Sequence, residues 1–272
     1  MRFGVCIPYK DITTLQRVPF DYLEENVQRF LIPEKSDEDF ASHLQAVRHL
    51  PVPVEAANSL LPASLPIIAT PTQHVDTARL EHYIHTALRR AEQVGIRVIV
   101  FGSGTARMSP DGYDKTVAAQ QVGAYLAQWS RWGKEHGVTI ALEPLRYEET
   151  NILNTVSESG ELIESVRNSG ATLLADTYHM ACNGESPEDI IRWASLLSHV
   201  HVAEKQERAA PGRFGENLRP YFAALHQIGY DKRISIECNW RDFATEVAPA
   251  IATLREQWQT SIGTSTQHGD KQ

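Results

Sequence analysis

Four apolar runs in the second half of the chain each end in a residue able to bind a metal ion or move a proton. "VTIALEPL" carries Glu143, "ATLLADTYHM" carries Asp176 with His179 three residues on, "SHVHVAE" carries His199 and His201, and "RISIECNW" carries Glu237. A charge at the end of a buried strand costs several kcal/mol unless something pairs with it. One such acid is as often a helix cap or half of an ion pair; four consecutive runs ending this way form a pattern. Three carboxylates and one imidazole brought together would hold one divalent cation by mixed oxygen and nitrogen ligation. Such a set suits Mn²⁺ first, with Mg²⁺, Co²⁺ or Zn²⁺ as alternatives. The cation would neutralise charges that cannot otherwise be buried side by side, so Glu143 is expected to be paired with a metal. His199 and His201 point to the same side of their strand, so either could supply the nitrogen. Tyr178, Met180 and Trp240 in the same segments read as packing residues.

For these residues to meet, the runs that carry them must lie side by side. Strand-like and helix-like segments alternate along the chain. Residues 2–8, 52–58 and 96–104 add three strand candidates and 21–27 a weaker one, for eight with the four above. Helices are expected at 36–50, 74–94, 113–137, 155–168, 186–197, 217–228 and 242–259. The second of these places Leu80, Ile84, Ala87, Leu88 and Ala91 on one face and is closed by Gly95. At 186–197, Ser186 reads as the N-cap and Pro187 as the first helical residue. The stretch 9–35 is irregular. Strands buried on both faces and alternating with helices form a parallel sheet. Eight such units in this length predict an α/β fold, a single-domain (β/α)₈ TIM barrel over residues 1–258, with the polar, aperiodic 259–272 as a flexible tail. A barrel of this kind carries its chemistry at the C-terminal strand ends, which is where the candidate ligands fall.

Composition narrows the partners. The chain of 272 residues has a net charge of −8, which argues against a sequence-independent grip on nucleic acid. Cys6, Cys182 and Cys238 are scattered without a CxxC pair and fit a reduced compartment. With no signal-peptide pattern at the start and no apolar run near the ~20 residues that span a bilayer, the expectation is a cytoplasmic protein with no membrane association. "GSGTAR" (102–107) lacks the spacing of a dinucleotide or phosphate loop.

The strand ends resemble the xylose isomerase-like barrel superfamily, in particular its ketose 3-epimerase and sugar phosphate isomerase/epimerase branch. "LEPLRYEETNILNT" looks like that branch's strand-five motif, "ADTYHM" its strand-six motif and "HVHVAEKQERAAPG" its strand-seven motif. "ISIEC" resembles its final strand, and "FGSGTARMSPDGYD" a loop common in the branch. The likeness runs over residues 96–240. It implies metal ligation by Glu143, Asp176, His201 and Glu237, and substrate contact by Glu149, His179 and an arginine after His201. It further implies proton abstraction beside a carbonyl through a cis-enediolate, with Glu143 and Glu237 as the acid and base. Two departures stand out. Arg146 and Tyr147 occupy the place of the branch's Asn-Arg pair, and Glu207 stands where its strand-seven arginine is usual, with Arg208 one residue later.

The leading expectation is therefore a metal-dependent sugar epimerase or isomerase, most like a ketose 3-epimerase, acting on a small sugar or sugar derivative. The resemblance implies a homo-oligomer. The alternative is a lyase on 3-keto sugars, resembling the C-glycoside deglycosidases, which would need a partner subunit. A DNA-repair endonuclease of the superfamily is disfavoured, because strand four ends in "FGSG" without a histidine and the strand-seven loop lacks the extra Asp-x-His pair.

Overall fold

The computed structural model describes residues 1–262. Its eight strands pair in chain order into a closed barrel. They are β1 (Arg2–Cys6), β2 (Tyr22–Asn26), β3 (Val54–Asn58), β4 (Val98–Phe101), β5 (Thr139–Leu142), β6 (Thr172–Asp176), β7 (Leu197–Val202) and β8 (Arg233–Ile236). All neighbours are parallel, and β1 closes the ring on β8 with Gly4 beside Ser235. The helices are α1 (Asp37–Val47), α2 (Thr77–Val94), the single turn α3 (Gly104–Arg107), α4 (Lys115–Glu135), α5 (Val156–Ser165), α6 (Thr177–Asn183), α7 (Glu188–Arg192), α8 (Arg219–Gln227) and α9 (Phe243–Thr260). Among the described residues, no helix is long and apolar enough to cross a membrane.

Successive strand residues point to opposite sides, and here the two sides are different compartments. Ile99, Phe101, Ile140, Leu142, Leu173, Val200, Val202, Ile234 and Ile236 pack outward, in one core with Ile84, Leu126 and Trp129 of the helices. Tyr22, Ala56, Val98, Val100, Ala141 and Leu174 fill the barrel interior. Gly4 shares that parity. A Cβ on it would lie 2.4 Å from the Tyr22 ring, so glycine is what lets the tyrosine into the barrel.

Local chemistry sets the helix ends. Ser36 with Asp39, and Thr155 with Glu158, form reciprocal capping boxes on α1 and α5. Gly95 ends α2 at φ 96°, a conformation open to glycine at little cost. The irregular 9–35 stretch resolves in part, and two expectations shift. A 3₁₀ turn, Tyr9–Thr14, is the only regular element between β1 and β2, where a complete unit would carry a helix. Residues 186–197 divide into α7 and a 3₁₀ turn, Ala194–Leu196, because Leu197 is already committed to β7. Glu188 is the first helical residue there, with Pro187 at the cap, although Ser186 Oγ still accepts the Glu188 N–H at 3.2 Å. Finally, α9 runs through the expected boundary at 258. Thr260 Oγ1 accepts from Arg219 Nε at 2.7 Å, and Ser261 is buried. The rest of the expected tail, residues 263–272, lies outside the described residues.

Candidate metal centre

Inward parity decides which residues meet at the C-terminal mouth. Continuing the inward positions to the strand ends gives Cys6, Glu24, Asn58, Gly102, Glu143, Asp176, His201 and Glu237, one from each strand. Glu143, Asp176, His201 and Glu237 bring one ligand atom apiece to within 4.8 Å of one another, with the first three buried. Backbone pairing fixes their placement. The Glu143 N–H donates to Phe101 O at 3.1 Å and the Glu237 N–H to Val202 O at 3.1 Å, each extending its strand's ladder by one residue. Asp176 uses Oδ1 to cap α6, accepting the Tyr178 N–H at 2.8 Å, which leaves Oδ2 for the site.

His201 stands between the two glutamates, its Nδ1 3.2 Å from Glu143 Oε1 and 3.3 Å from Glu237 Oε2. Burial alone would lower the His201 pKa, but the negative charge of Glu24 and Glu237 and the hydrogen bonds to Glu143 and Glu237 raise it well above its ordinary value. Burial raises the Glu143 carboxyl, with the bond from His201 opposing and the charge of Glu237 adding. Burial pushes Glu237 up as well, yet Arg208 and His201 overcome this and hold it below the usual carboxylate range.

The residues fit a divalent cation. Counting Glu24, four carboxylates face Arg208 and the imidazoles of His179, His199 and His201. Like charges this close are costly to bury together without a cation. His179 Nε2 is buried without a hydrogen-bond partner among the described residues, 3.6 Å from Asp176 Oδ2 and 4.0 Å from Glu143 Oε1. Gly102 keeps the space open, since a Cβ there would lie 2.5 Å from Glu143 Oε2. Mixed carboxylate and imidazole donors match Mn²⁺, Mg²⁺, Co²⁺ or Zn²⁺.

Above these residues opens a cavity of about 250 Å³, lined by Glu143 and Glu237 together with Glu149, His179 and Arg208. The residues assigned to substrate by resemblance thus share one cavity with two of the candidate ligands. Glu149 accepts from Arg146 Nε at 2.7 Å, and the Arg146 guanidinium lies over the Tyr178 ring at 5.3 Å. Tyr147 is 60% exposed. The choice between Glu207 and Arg208 is settled by two successive left-handed residues, at φ 59° and 49°. They turn Arg208 inward, over Tyr178 at 4.8 Å, with Nε donating to Glu237 O at 3.2 Å and Nη2 facing Asp176 Oδ2 at 3.4 Å and Glu237 Oε2. Glu207 turns out to pair with Arg241 at 2.7 Å. His199 is deeper in the barrel than His201 and donates to Glu24 at 2.7 Å, so His201 is the histidine of the ligand group.

Sequence reasoning missed Glu24, Asn58 and Arg107. Asn58 Nδ2 donates to Glu237 Oε1 at 2.7 Å, and buried Arg107 donates from Nη2 to the Glu143 carbonyl at 2.8 Å. For Asn58 the available signal was an amide at the end of the run "VPVEAAN"; Glu24 sits in the polar "YLEEN" and Arg107 in the "GSGTAR" loop, where no such signal stands.

Residues 13–262 match the xylose isomerase-like TIM barrel family. The chain belongs to that family. Among its relatives, the L-ribulose 3-epimerase of Methylomonas sp. (strain DH-1) is 26% identical over 254 residues, 92% of this chain and 84% of the relative. The crystal structure of a Methylomonas sp. D-allulose 3-epimerase in complex with D-allulose superposes with a TM-score of 0.78 at 20% identity, covering 94% of this chain and 97% of that one. The crystal structure of the IOLI protein with a bound zinc atom gives a TM-score of 0.70 at 16% identity, covering 98% of this chain and 100% of that one. At these identities the two structures establish the fold alone.

Proposed function

We propose that the protein is a divalent-cation-dependent epimerase of a small, unphosphorylated ketose, inverting the carbon beside the carbonyl through a cis-enediolate. The observation that carries this reading is the convergence of Glu143, Asp176, His201 and Glu237 at one barrel mouth, with Glu143 and Glu237 on either side of His201 and both lining the cavity. The four would hold Mn²⁺ or a related ion, which when bound polarises a carbonyl and acidifies the neighbouring C–H. Inversion needs a proton taken from one face and another returned to the opposite face. Two carboxylates on different strands can divide that work, whereas a single base would favour aldose–ketose isomerisation. Arg208 and Asn58 hold Glu237 from two sides, and Arg107 holds the backbone of Glu143.

The cavity falls below the about 300–1,000 Å³ of drug-sized sites, which supports a monosaccharide. Arg208 is the one basic residue besides His179 among its lining residues, and it is engaged by Glu237 and Asp176. With Arg208 so engaged, the lining offers a phosphate no uncommitted cationic side chain. Three free cysteines support a cytoplasmic location.

The test is incubation of the Mn²⁺-loaded protein with a panel of ketoses in D₂O, followed by NMR. Deuterium should enter at one carbon beside the carbonyl, stop with EDTA, and fall by about 10²–10⁴-fold in Glu237→Gln. Label on the C3 methine would mark the epimerase, label on the C1 methylene an isomerase, and loss of a substituent a lyase. No exchange from any ketose with metal bound would sink the reading.

A further inference from the structure

We propose that Glu24 is a positioning residue that sets the ring orientation and tautomer of His201, so that Nδ1 and not Nε2 is presented to the cation. The inference rests on the ligand group proposed above. Glu24 is 1% exposed and stands on β2, on the side of the barrel away from β5 and β6. It does not line the substrate cavity. Its Oε1 lies 2.9 Å from His201 Nε2, while Oε2 lies 2.7 Å from His199 Nε2 and accepts from Ser235 Oγ at 2.6 Å. Tyr22 Oη lies 2.7 Å from that same Ser235 Oγ, which closes a polar cluster built from β2, β7 and β8.

With a cation in place of a proton on Nδ1, the cluster would have one consistent proton arrangement. A carboxylate offers only acceptors, so the ring nitrogens facing it carry their protons. With its proton on Nε2, a neutral His201 has its lone pair on Nδ1, the atom aimed at Glu143 and Glu237. The two histidine rings stand 5.0 Å apart at 80°, so each meets a different oxygen of the one carboxylate. The register of β2 against β3 slips between Leu23 and Glu24, at the residue that must reach across the barrel. Partners of this kind on a metal-binding histidine commonly change metal affinity by about 10–100-fold.

Cys6 provides the competing account. Cys6, Glu24 and His201 also bring ligand atoms within 4.8 Å, so this trio could itself take a thiophilic ion. Both oxygens of Glu24 are already occupied by three donors, which favours the positioning role.

The experiment is calorimetric titration of the metal-free protein with MnCl₂, for the parent, Glu24→Gln, Ser235→Ala and Cys6→Ser. It is paired with ¹⁵N NMR of histidine-labelled, Zn²⁺-loaded protein. A glutamine can turn an amide N–H toward His201 Nε2 and drive the ring proton to Nδ1. We expect Glu24→Gln to bind Mn²⁺ about 10–100-fold more weakly, with the His201 Nε2–H signature of the parent lost, and Cys6→Ser to match the parent. Ser235→Ala keeps the carboxylate but removes one of its anchors, and should weaken binding several-fold. It carries the test if Glu24→Gln does not fold, and unchanged affinity in it would then overturn the inference. Parental affinity in a folded Glu24→Gln overturns the role of Glu24 and leaves the ligand group standing. A Cys6→Ser loss as large as that of Glu24→Gln overturns it in favour of the cysteine trio. A parent that binds neither metal overturns the ligand group itself.

Discussion

Glu204 follows β7 and is fully buried, yet it has no part in the proposed chemistry. Its carboxylate accepts four backbone N–H groups from the loop that follows. Oε1 takes Gly212 at 2.7 Å, Gly215 at 3.1 Å and Glu216 at 3.1 Å, and Oε2 takes Phe214 at 2.6 Å. Glu204→Ala removes both acceptor oxygens and all four bonds. Hydrogen bonds to a charged group are worth about 1.5–3 kcal/mol each, but the loop is part-exposed and water re-solvates some of the donors. A loss of about 3–5 kcal/mol is therefore expected. At about 2.1 cal/mol/K for each of 272 residues, the unfolding entropy is about 0.6 kcal/mol per kelvin, so the melting temperature should fall by about 5–9 °C. Glu204→Gln separates the bonds from the packing. Its oxygen can keep the three N–H groups on Oε1, while its amide meets the Phe214 N–H donor to donor. That variant should lose about one charge-assisted bond, or about 3–5 °C. Scanning calorimetry reads both, and trypsin cleavage after Arg213 reports whether the loop has loosened. A Glu204→Ala midpoint within about 2 °C of the parent would refute the argument. Equal losses in the two variants would refute the separate role of Phe214.

Two further outcomes follow from the geometry. Gly102→Ala places a methyl group 2.5 Å from where Glu143 Oε2 now lies, so the carboxylate must swing; kcat/KM for the ketose should fall by about 10²-fold with little change in melting temperature, and an unaffected kcat/KM would contradict the assigned position of Glu143. Glu25, next to Glu24 but facing outward, accepts N–H groups from Tyr9 and Asn26, and burial raises its pKa from 4.5 to about 7 despite them. Because the folded value is the higher one, the stabilisation is fully present below about pH 4.5 and is lost as pH rises to about 7, on the order of 3 kcal/mol at most. Urea unfolding across that window should show the decline in the parent and not in Glu25→Gln; parallel profiles would remove Glu25 as its cause.

Seven of the eight strands were legible because a barrel strand is buried on both faces and so reads as an apolar run; β2 was the weaker candidate because Glu24 and Glu25 interrupt its run. Three of the candidate ligands, Glu143, Asp176 and Glu237, were legible for the complementary reason: each places charge where the run demands burial, whereas the imidazole could come from His199 or His201. Asp176 and Glu237 needed no knowledge of register, because each is the polar residue at its run's end.

Other residues were not decidable along the chain. "YLEEN" contains two adjacent glutamates that must face opposite ways, and the chain alone does not say which faces in. The register slip beside Glu24 decides it, sending Glu24 to the histidines and Glu25 to the Tyr9 loop. His199 and His201 share a face, so only their depth in the barrel separates the histidine of the ligand group from the one that braces Glu24. Two consecutive positive φ angles at Glu207 and Arg208, costly for residues with a Cβ, bring the arginine into the cavity one position later than the family's spacing has it. Periodicity and composition act on neighbours in the chain, so the sequence by itself determined the barrel, its direction and the kinds of residue at its mouth. Strand register, depth and backbone handedness depend on closing a ring between residues as far apart as Glu24 and His201, and that closure, reached only in the tertiary structure, decided which of those residues face one another.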